Sequence, residues 1–223
     1  MNVFVLKMIA IITMLIDHIG ATFFLNSEIY YPMRLIGRIA FPIFAFLIVE
    51  GYFHTRNVRN YIIRLLIFAF ISEIPFDLCF QHTIFAFGSQ NIFFNLALGL
   101  LTIHCLTLVS KRFDPNHLKG SLLTAGIVIA SMVIATVGRF DYQAYGIVYM
   151  LVFYYMRGKK IGLALAFLFV NVFLFGSHIQ VYASLAILFL LCYNGEKGRS
   201  LKYFFYAFYP VHLCILFLLQ IYR

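Results

Sequence analysis

Long apolar runs separated by short polar connections form the dominant pattern along this chain. Most runs approach the roughly 20 residues that a helix needs to cross a bilayer. The pattern predicts about nine spanning helices, at residues 8–25, 34–53, 61–80, 91–110, 120–138, 142–156, 161–176, 178–193 and 203–222. The sixth to eighth runs are short, so some of them can be re-entrant. The predicted fold class is an all-α, polytopic integral membrane helical bundle, with residues 1–223 forming one domain.

The composition agrees with this fold class, since 63% of the residues are hydrophobic and 11% are charged. These fractions exclude a water-soluble domain. A net charge of +9 would suggest a nucleic-acid partner in a soluble protein. Here the basic residues cluster between the apolar runs, which favours contact with anionic lipid and no nucleic acid. The four cysteines lack C-x-x-C spacing, so neither a disulfide framework nor a metal site is expected.

The basic connections alternate with connections that lack Lys and Arg, and this alternation predicts the orientation. Lys and Arg follow the second, fourth, sixth and eighth runs, whereas residues 26–33 and 81–90 contain neither. Because positive loops stay in the cytoplasm, the N-terminus is predicted to be cytoplasmic, in a multi-pass protein of the cell membrane. The first run lacks a basic segment and a small-residue cleavage site, so it is expected to be a retained helix.

An acid and a histidine, Asp17 and His18, interrupt the first apolar run at membrane depth. A charged side chain there is unfavourable, and it usually faces a protein interior or a water-filled cavity where it serves a function. The alternative is a structural polar pair that holds helices together. Other ionisable residues at similar depth favour the functional interpretation.

These other residues lie towards the predicted outer side, at the ends of the second, third and fifth runs. They are Arg34, Arg38, Glu73, Asp77, Arg139 and Asp141. The first two pairs have i, i+4 spacing, so each pair shares one helix face. These residues can converge with Asp17 and His18 on one polar cavity that opens outward. The alternative is a set of buried ion pairs that fixes helix register.

A second ionisable group marks the predicted cytoplasmic side. It consists of Glu50, His54, Arg56, Arg59 and Arg64. The positive-inside rule by itself explains Arg56 and Arg59. Arg64 lies deeper, where a ligand with phosphate groups would need a fork of donors. A soluble acyl donor that carries phosphates can therefore dock at this side.

Six short motifs give the chain a family resemblance. They are Asp17-His18-Ile19-Gly20, Arg34-x-x-Gly37-Arg38-x-Ala40-Phe41-Pro42, Glu50-Gly51 with His54-Thr55, Tyr61-x-x-Arg64-Leu65, Ser72-Glu73-Ile74-Pro75-Phe76-Asp77 and Phe208-Tyr209-Pro210-x-His212-Leu213. Taken together they resemble the TraX family, whose named member acetylates the N-terminus of a conjugal pilin. The family is similar to membrane acyltransferases in which an intramembrane histidine serves transfer from a coenzyme A thioester. Residues 113–157 carry no motif of the family.

The resemblance implies that His18 is the catalytic residue, either as a general base or as the group that takes the acyl chain. Asp17 is about 100° away on the helix, so Glu73 or Asp77 is the expected orienting carboxylate. Arg38 is expected to stabilise an oxyanion or a substrate carboxylate. The acceptor is expected to bind among Arg34, Arg139, Asp141, Tyr209 and His212. The remaining histidines, His82, His104, His117 and His178, are expected to be structural.

The implied function is acyl transfer, with acetyl-CoA entering from the cytoplasm and no metal. Glu50, His54, Arg56, Arg59 and Arg64 are the expected donor-binding residues. The acceptor is an amine or hydroxyl of a peptide, a glycan or another small molecule at the outer side. A small transporter is an alternative that the absence of a visible internal repeat disfavours. A membrane assembly factor without chemistry is another alternative, and the sequence leaves the oligomeric state open.

Overall fold

The computed structural model describes residues 1–113, 118–174 and 179–222, and ten α-helices lie in these ranges. They are α1 (Val3–Phe23), α2 (Tyr30–Gly37), α3 (Ala40–His54), α4 (Val58–Gln81), α5 (Ile92–Arg112), α6 (Leu118–Val137), α7 (Gln143–Tyr155), α8 (Lys160–Phe169), α9 (Ala186–Leu191) and α10 (Lys202–Ile221). A π-helical turn at Val170–Leu174 extends α8, and a 3-10 helix at Gln180–Leu185 precedes α9. Within the described residues no β-strand forms, and the extended pairing is a single bridge between Gln90 and Phe140. The predicted all-α class is confirmed.

Five helices are long and apolar enough to cross a membrane by their length and composition. They are Val3–Phe23, Tyr30–His54, Ile92–Arg112, Leu118–Val137 and Tyr203–Ile221. Helix α4 has 24 residues but carries four charged side chains, and the apolar helices Lys160–Leu174 and Gln180–Leu191 are shorter. The polytopic membrane bundle is thus confirmed, whereas the count of nine spans stays a prediction.

The predicted second span begins earlier than expected and is broken between α2 and α3. Arg38 and Ile39 form a turn there, in which the Arg38 amide donates to the Arg34 carbonyl at 3.3 Å. Pro42 lies in the first turn of α3, where a residue without an N–H group is tolerated. The break places Arg34 of α2 and Arg38 of the turn against Asp17 of α1.

The buried core lies between α1, α3, α4, α5, α7 and α10. Its large side chains include Ile43, Leu100, Tyr149 and Phe153, each with no more than 1% of its surface exposed. Helix α6 differs, because only 17% of its apolar segment is buried inside the protein. An apolar helix with so little protein cover presents its remaining surface to lipid.

Hydrogen bonds tie together the loops at each end of the bundle. At the end that carries the basic loops, here called the basic end, the Val3 amide donates to the Glu196 carbonyl at 2.8 Å. At the opposite end, the Gln90 amide donates to the Arg139 carbonyl at 2.8 Å, and the Asp141 amide donates to the Gln90 carbonyl at 2.9 Å. The loops therefore form two structured mouths of the bundle.

The predicted orientation can be tested by labelling single cysteines in a background without the four native ones. Because basic loops stay in the cytoplasm, Ser27→Cys should react with an impermeant thiol reagent in intact cells. Lys159→Cys should react only after permeabilisation. Both native side chains are exposed, so burial in the protein does not prevent labelling of either cysteine. Each variant is therefore the other's control, and a missing signal in intact cells shows that the residue lies on the cytoplasmic side. The reverse labelling pattern would contradict a cytoplasmic N-terminus.

Candidate functional site

An ion-pair cluster joins α1 to the segment around α2. Nη1 of Arg34 lies 2.6 Å from Oδ2 of Asp17, and Nη2 of Arg38 lies 3.1 Å from Oδ1. The side chains of Asp17, Arg34 and Arg38 are 10%, 23% and 15% exposed, so solvent screens these pairs only weakly. One carboxylate faces two guanidinium groups, and the cluster therefore carries a net positive charge.

Gly37 allows this cluster to form. A Cβ atom added at Gly37 would lie 2.0 Å from Oδ1 of Asp17, a distance that no pair of nonbonded atoms tolerates. The glycine lies between Arg34 and Arg38 in the chain, so it opens the space into which both arginines direct their donors. Close approach of two helices explains why the Arg34-x-x-Gly37-Arg38 spacing contains a glycine.

His18 lies one residue beyond Asp17 and contacts a different helix. Its Nδ1 atom is 2.7 Å from Nε2 of His212, on α10. His212 is buried, and its Nδ1 atom is 2.8 Å from the Phe208 carbonyl oxygen. Aromatic rings of Phe80 and Tyr209 lie edge-on to His18, with ring centroids at 5.2 Å and 6.1 Å. One histidine and two aromatic rings thus hold the imidazole of His18 in place.

Glu73 and Asp77 do not orient His18, contrary to the expectation from sequence. Glu73 accepts hydrogen bonds from the backbone amide of Asn91, at 3.2 Å, and from the side-chain amide of Asn91. Asp77 accepts from the Ala86 amide at 2.8 Å and from Nε2 of Gln81 at 2.9 Å. Both carboxylates therefore bind the loop between α4 and α5, because loop amides at that depth need acceptors.

The outer cavity, at the end opposite the basic loops, has a volume of about 230 Å³. Its polar lining consists of Asp17, His18, Arg34, Arg38, Ser89, Asp141, Tyr142 and Tyr209. Desolvation raises the pKa of the Asp141 carboxyl and the positive charge of Arg38 opposes this rise, although the residue as a whole is exposed at the mouth. The cavity thus combines one imidazole with charges of both signs.

Two of the expected acceptor residues lie outside this lining. Arg139 is exposed and donates from Nη1 to the Phe87 carbonyl at 3.3 Å. His212 stands behind His18 as its hydrogen-bond partner. Arg139 therefore contacts the backbone of the loop at the mouth, and His212 contacts the cavity through its hydrogen bond to His18. Within the described ranges, no three His, Cys, Asp or Glu side chains group as they would around a metal ion.

The inner cavity opens towards the basic end and has a volume of about 590 Å³. Four basic side chains line it: Lys7, Arg64, Lys197 and Arg199. Arg56 and Arg59, which the sequence grouped with Arg64, are exposed outside the lining. Lys7 was not anticipated, although a lone cation in the first turns of an apolar helix is a usable signal. Lys197 and Arg199 belong to the basic connection after the eighth run, for which the sequence predicts an orientation role.

Arg64, on α4, is one of these cations and is incompletely paired. Its Nε atom is buried without a hydrogen-bond partner among the described residues. Its guanidinium group hydrogen-bonds to Tyr206 and lies 5.5 Å from the ring centroid of Tyr61. A buried donor without a partner is unfavourable, so Arg64 is suited to an anionic ligand in the cavity.

Glu50 in the same lining is already neutralised. Arg157 approaches its carboxylate with two donors, at 2.7 Å from Nε and 3.2 Å from Nη2. The Arg157 guanidinium also lies 4.3 Å from the ring centroid of Phe53, and Nδ1 of His54 donates to the Glu50 carbonyl at 2.8 Å. This group closes one wall of the inner cavity and joins α3 to the loop after α7.

The two cavities share four lining residues close to His18, and this shared wall is here called the meeting point. Met14, Phe44, Ile92 and Tyr209 line both of them. Met14 precedes His18 by four residues, so it lies one helical turn towards the basic end on the same face of α1. The meeting point is therefore apolar except for the phenol of Tyr209. The imidazole of His18 lies beside it, on the side of the outer cavity.

Comparison with known proteins gives the family. The TraX protein family profile matches residues 3–220. The chain is 32% identical to the probable fimbrial assembly protein FimC, serogroup H1, of Dichelobacter nodosus, with 96% of this chain and 94% of that protein aligned. No solved structure matches the chain. Because the profile match extends over nearly the whole sequence, the protein belongs to the TraX family.

Proposed function

We propose that this membrane protein is an acyltransferase that moves an acetyl group from acetyl-CoA to an amine or hydroxyl acceptor. The donor enters the inner cavity from the basic end, which is the predicted cytoplasmic side. The acceptor enters the outer cavity from the opposite end. The observation that carries this proposal is that the two cavities lie on either side of the same four residues, Met14, Phe44, Ile92 and Tyr209, next to His18. Two substrates from opposite sides can therefore react without either one crossing the membrane.

The inner cavity suits the donor by charge and size. Its volume of about 590 Å³ lies within the range of roughly 300–1,000 Å³ that is typical of small-molecule sites. The phosphates of coenzyme A would bind near Lys197 and Arg199 at the mouth, with Arg64 deeper in the cavity. The extended thiol arm would then reach the apolar meeting point, where the thioester carbonyl lies beside His18.

The proposed reaction is a direct transfer with His18 as general base. Nε2 of His18 removes a proton from the acceptor nitrogen or oxygen while that atom attacks the thioester carbonyl carbon. The new bond forms, the C–S bond breaks, and the coenzyme A thiolate takes the proton from the imidazolium. The net positive charge of the Asp17, Arg34 and Arg38 cluster favours the negative charge that develops on the carbonyl oxygen.

A covalent route through an acetyl-imidazole is the chemical alternative. It would release coenzyme A before the acceptor binds and would give ping-pong kinetics. Direct transfer instead requires both substrates in the cavities together. Initial rates over a grid of donor and acceptor concentrations distinguish the two, because only the covalent route gives parallel double-reciprocal lines.

A second candidate function is favoured by the name of the relative, a probable fimbrial assembly protein. A surface-fibre subunit is then a reasonable acceptor, and acetylation would be a step in assembly. A pure assembly factor would need neither acetyl-CoA nor His18. The two candidates therefore differ in whether purified protein releases coenzyme A.

The test uses purified protein in lipid nanodiscs with radiolabelled acetyl-CoA and a panel of amine and hydroxyl acceptors, including fibre-subunit peptides and glycans. We expect release of coenzyme A that depends on the acceptor, together with a labelled product. Mass spectrometry of cell-surface peptides and glycans, with and without the protein, identifies the natural acceptor. Assembly defects without any acetylated product, in cells or in nanodiscs, would reject the enzyme in favour of the assembly factor.

Removing Arg64 should weaken donor binding specifically. Arg64→Ala should raise the KM for acetyl-CoA, and the acceptor KM should change less, because the phosphates lie far from the reacting carbon. Arg56→Ala is the matched control, since Arg56 is exposed outside the inner cavity. An unchanged donor KM in folded Arg64→Ala protein would exclude the donor role of this residue.

A further inference from the structure

We infer that His212 is a positioning residue that fixes the tautomer of His18, so that Nε2 of His18 is the proton acceptor. The inference deepens the proposed function and rests on it for its catalytic meaning. It follows from the donors and acceptors along the hydrogen-bonded chain from Phe208 through His212 to His18.

The first step is the contact between His212 and the backbone of its own helix. Nδ1 of His212 lies 2.8 Å from the Phe208 carbonyl oxygen. A carbonyl oxygen can only accept a hydrogen bond, so Nδ1 of His212 must carry a proton. Because the neutral imidazole has one donor and one acceptor nitrogen, Nε2 of neutral His212 is an acceptor.

The second step carries the same logic to His18. Nε2 of His212 is 2.7 Å from Nδ1 of His18. With an acceptor on the His212 side, Nδ1 of His18 must be the donor. The remaining nitrogen of neutral His18, Nε2, then has a free lone pair, and the described part of the chain offers it no hydrogen-bond partner. His18 lines the outer cavity and His212 does not, so the side chain that carries this lone pair is part of the cavity wall.

The ring geometry supports a strong hydrogen bond between the two histidines. Their ring planes differ by 8° and their centroids are 5.0 Å apart. A contact of 2.7 Å between ring nitrogens at that centroid separation means that the rings meet edge to edge in nearly one plane. The lone pair of an imidazole nitrogen lies in the ring plane, so it points at the donated proton.

The arrangement replaces the carboxylate that usually orients a catalytic histidine. The Asp17 carboxylate is occupied by Arg34 and Arg38, and Glu73 and Asp77 bind the loop after α4. A neutral imidazole on α10 orients His18 without adding a further charge to the buried site, where an extra charge would be unfavourable. His212 is 5% exposed, so water competes little for its Nε2 atom.

The test measures the tautomer directly, by nitrogen-15 NMR of protein labelled at histidine and reconstituted in lipid without substrates. The His18 signals are identified by their loss in His18→Gln. We expect Nδ1 of His18 to be protonated and Nε2 to be unprotonated near neutral pH. A proton on Nε2 of neutral His18 would overturn the inference, whatever the activity of the protein.

Two variants separate positioning from packing. Gln at residue 212 can accept from Nδ1 of His18, whereas Leu fills similar space without an acceptor. We expect His212→Gln to keep the His18 tautomer and much of the rate. His212→Leu should lose the tautomer preference and lower kcat by ~10²–10⁴-fold. Loss of a general base has an effect of this size, and so does a catalytic histidine held in the wrong tautomer. The donor KM should change little. Equal rates and unchanged tautomers in both variants would contradict the inference.

The NMR result distinguishes failure of this inference from failure of the proposed function. The predicted tautomer in a protein that never releases coenzyme A would support the positioning role of His212 and reject the acetyltransferase. The reverse tautomer in an active acetyltransferase would reject the role of His212 and leave the proposed function standing.

Discussion

Acetyl transfer by His18→Ala protein should fall by ~10²–10⁴-fold, the contribution that a positioned general base makes to the rate. The imidazole stands at the outer edge of the meeting point of the two cavities, and its Nδ1 atom is engaged by His212. Alanine removes the group that accepts the acceptor's proton. The measurement is the rate of coenzyme A release at saturating donor and acceptor, with purified protein in lipid.

His18→Gln is the sharper variant, because glutamine keeps polarity and much of the shape but cannot take up a proton at neutral pH. If His18 is the base, Gln should be nearly as inactive as Ala. A helix-packing role predicts the opposite, since a Gln amide can replace the hydrogen bond to His212. Size-exclusion profiles and thermal unfolding of both variants serve as the folding control. Near-normal turnover by His18→Gln would exclude His18 as the base.

The losses of rate caused by substituting His18 and His212 should also be non-additive. If His212 acts only through His18, then His212→Leu in a His18→Gln background should cause no further loss of rate. Residues that act as one unit show this behaviour. An additional loss of the size seen for His212→Leu alone would assign His212 a separate role.

Much of the outer site follows from helix periodicity and depth. The i, i+4 spacing of Arg34 and Arg38 predicts that both lie on one face, and the structure shows that Asp17 is the carboxylate they contact. The membrane makes this inference stronger than it would be in water, because few ionisable residues at that depth lack a partner. The lone glycine between them has a visible reason only in the structure, where Asp17 fills the space beside it.

The contacts that the sequence could not provide are those between distant segments. His212 is 194 residues from His18, and Arg157 is 107 residues from Glu50. Periodicity reports the face of a helix but not which helix packs against it. Glu73 and Asp77 illustrate this point: their shared face was correctly described, yet it turns towards the loop between α4 and α5 and not towards His18.

The basic residues at the inner cavity show why loop charges next to a membrane are hard to interpret from sequence, since they can set the topology, bind a ligand or do both. Lys197 and Arg199 fit the orientation rule and also line the cavity, so one charge can serve both the topology and a ligand. Arg56 and Arg59 fit the rule equally well, but they lie outside the lining of the inner cavity. The loop between α9 and α10 hydrogen-bonds to the start of α1. Only this path of the loop explains why Lys197 and Arg199 line the cavity whereas Arg56 and Arg59 do not.

Asp17→Asn should destabilise the protein as well as reduce its activity. The substitution leaves Arg34 and Arg38, 23% and 15% exposed, without the carboxylate that both contact. Breaking a buried ion pair by removing one partner typically costs about 3–5 kcal/mol, because an uncompensated charge remains. The lower end of this range is the expected loss in unfolding free energy, since both arginines retain some contact with the outer cavity. Unfolding in detergent, followed with a thiol-reactive dye, provides the measurement.

Asp141→Asn is the matched control for this prediction, because it removes a carboxylate from the same cavity and leaves the Asp17 ion pairs intact. It should change stability far less than Asp17→Asn does. Removing one guanidinium together with the carboxylate should relieve the repulsion, so Asp17→Asn with Arg38→Gln should be more stable than Asp17→Asn alone. That double variant should still be poorly active, since the positive charge beside the carbonyl oxygen is reduced. Wild-type stability in Asp17→Asn would mean that this cluster does not hold α1 against α2.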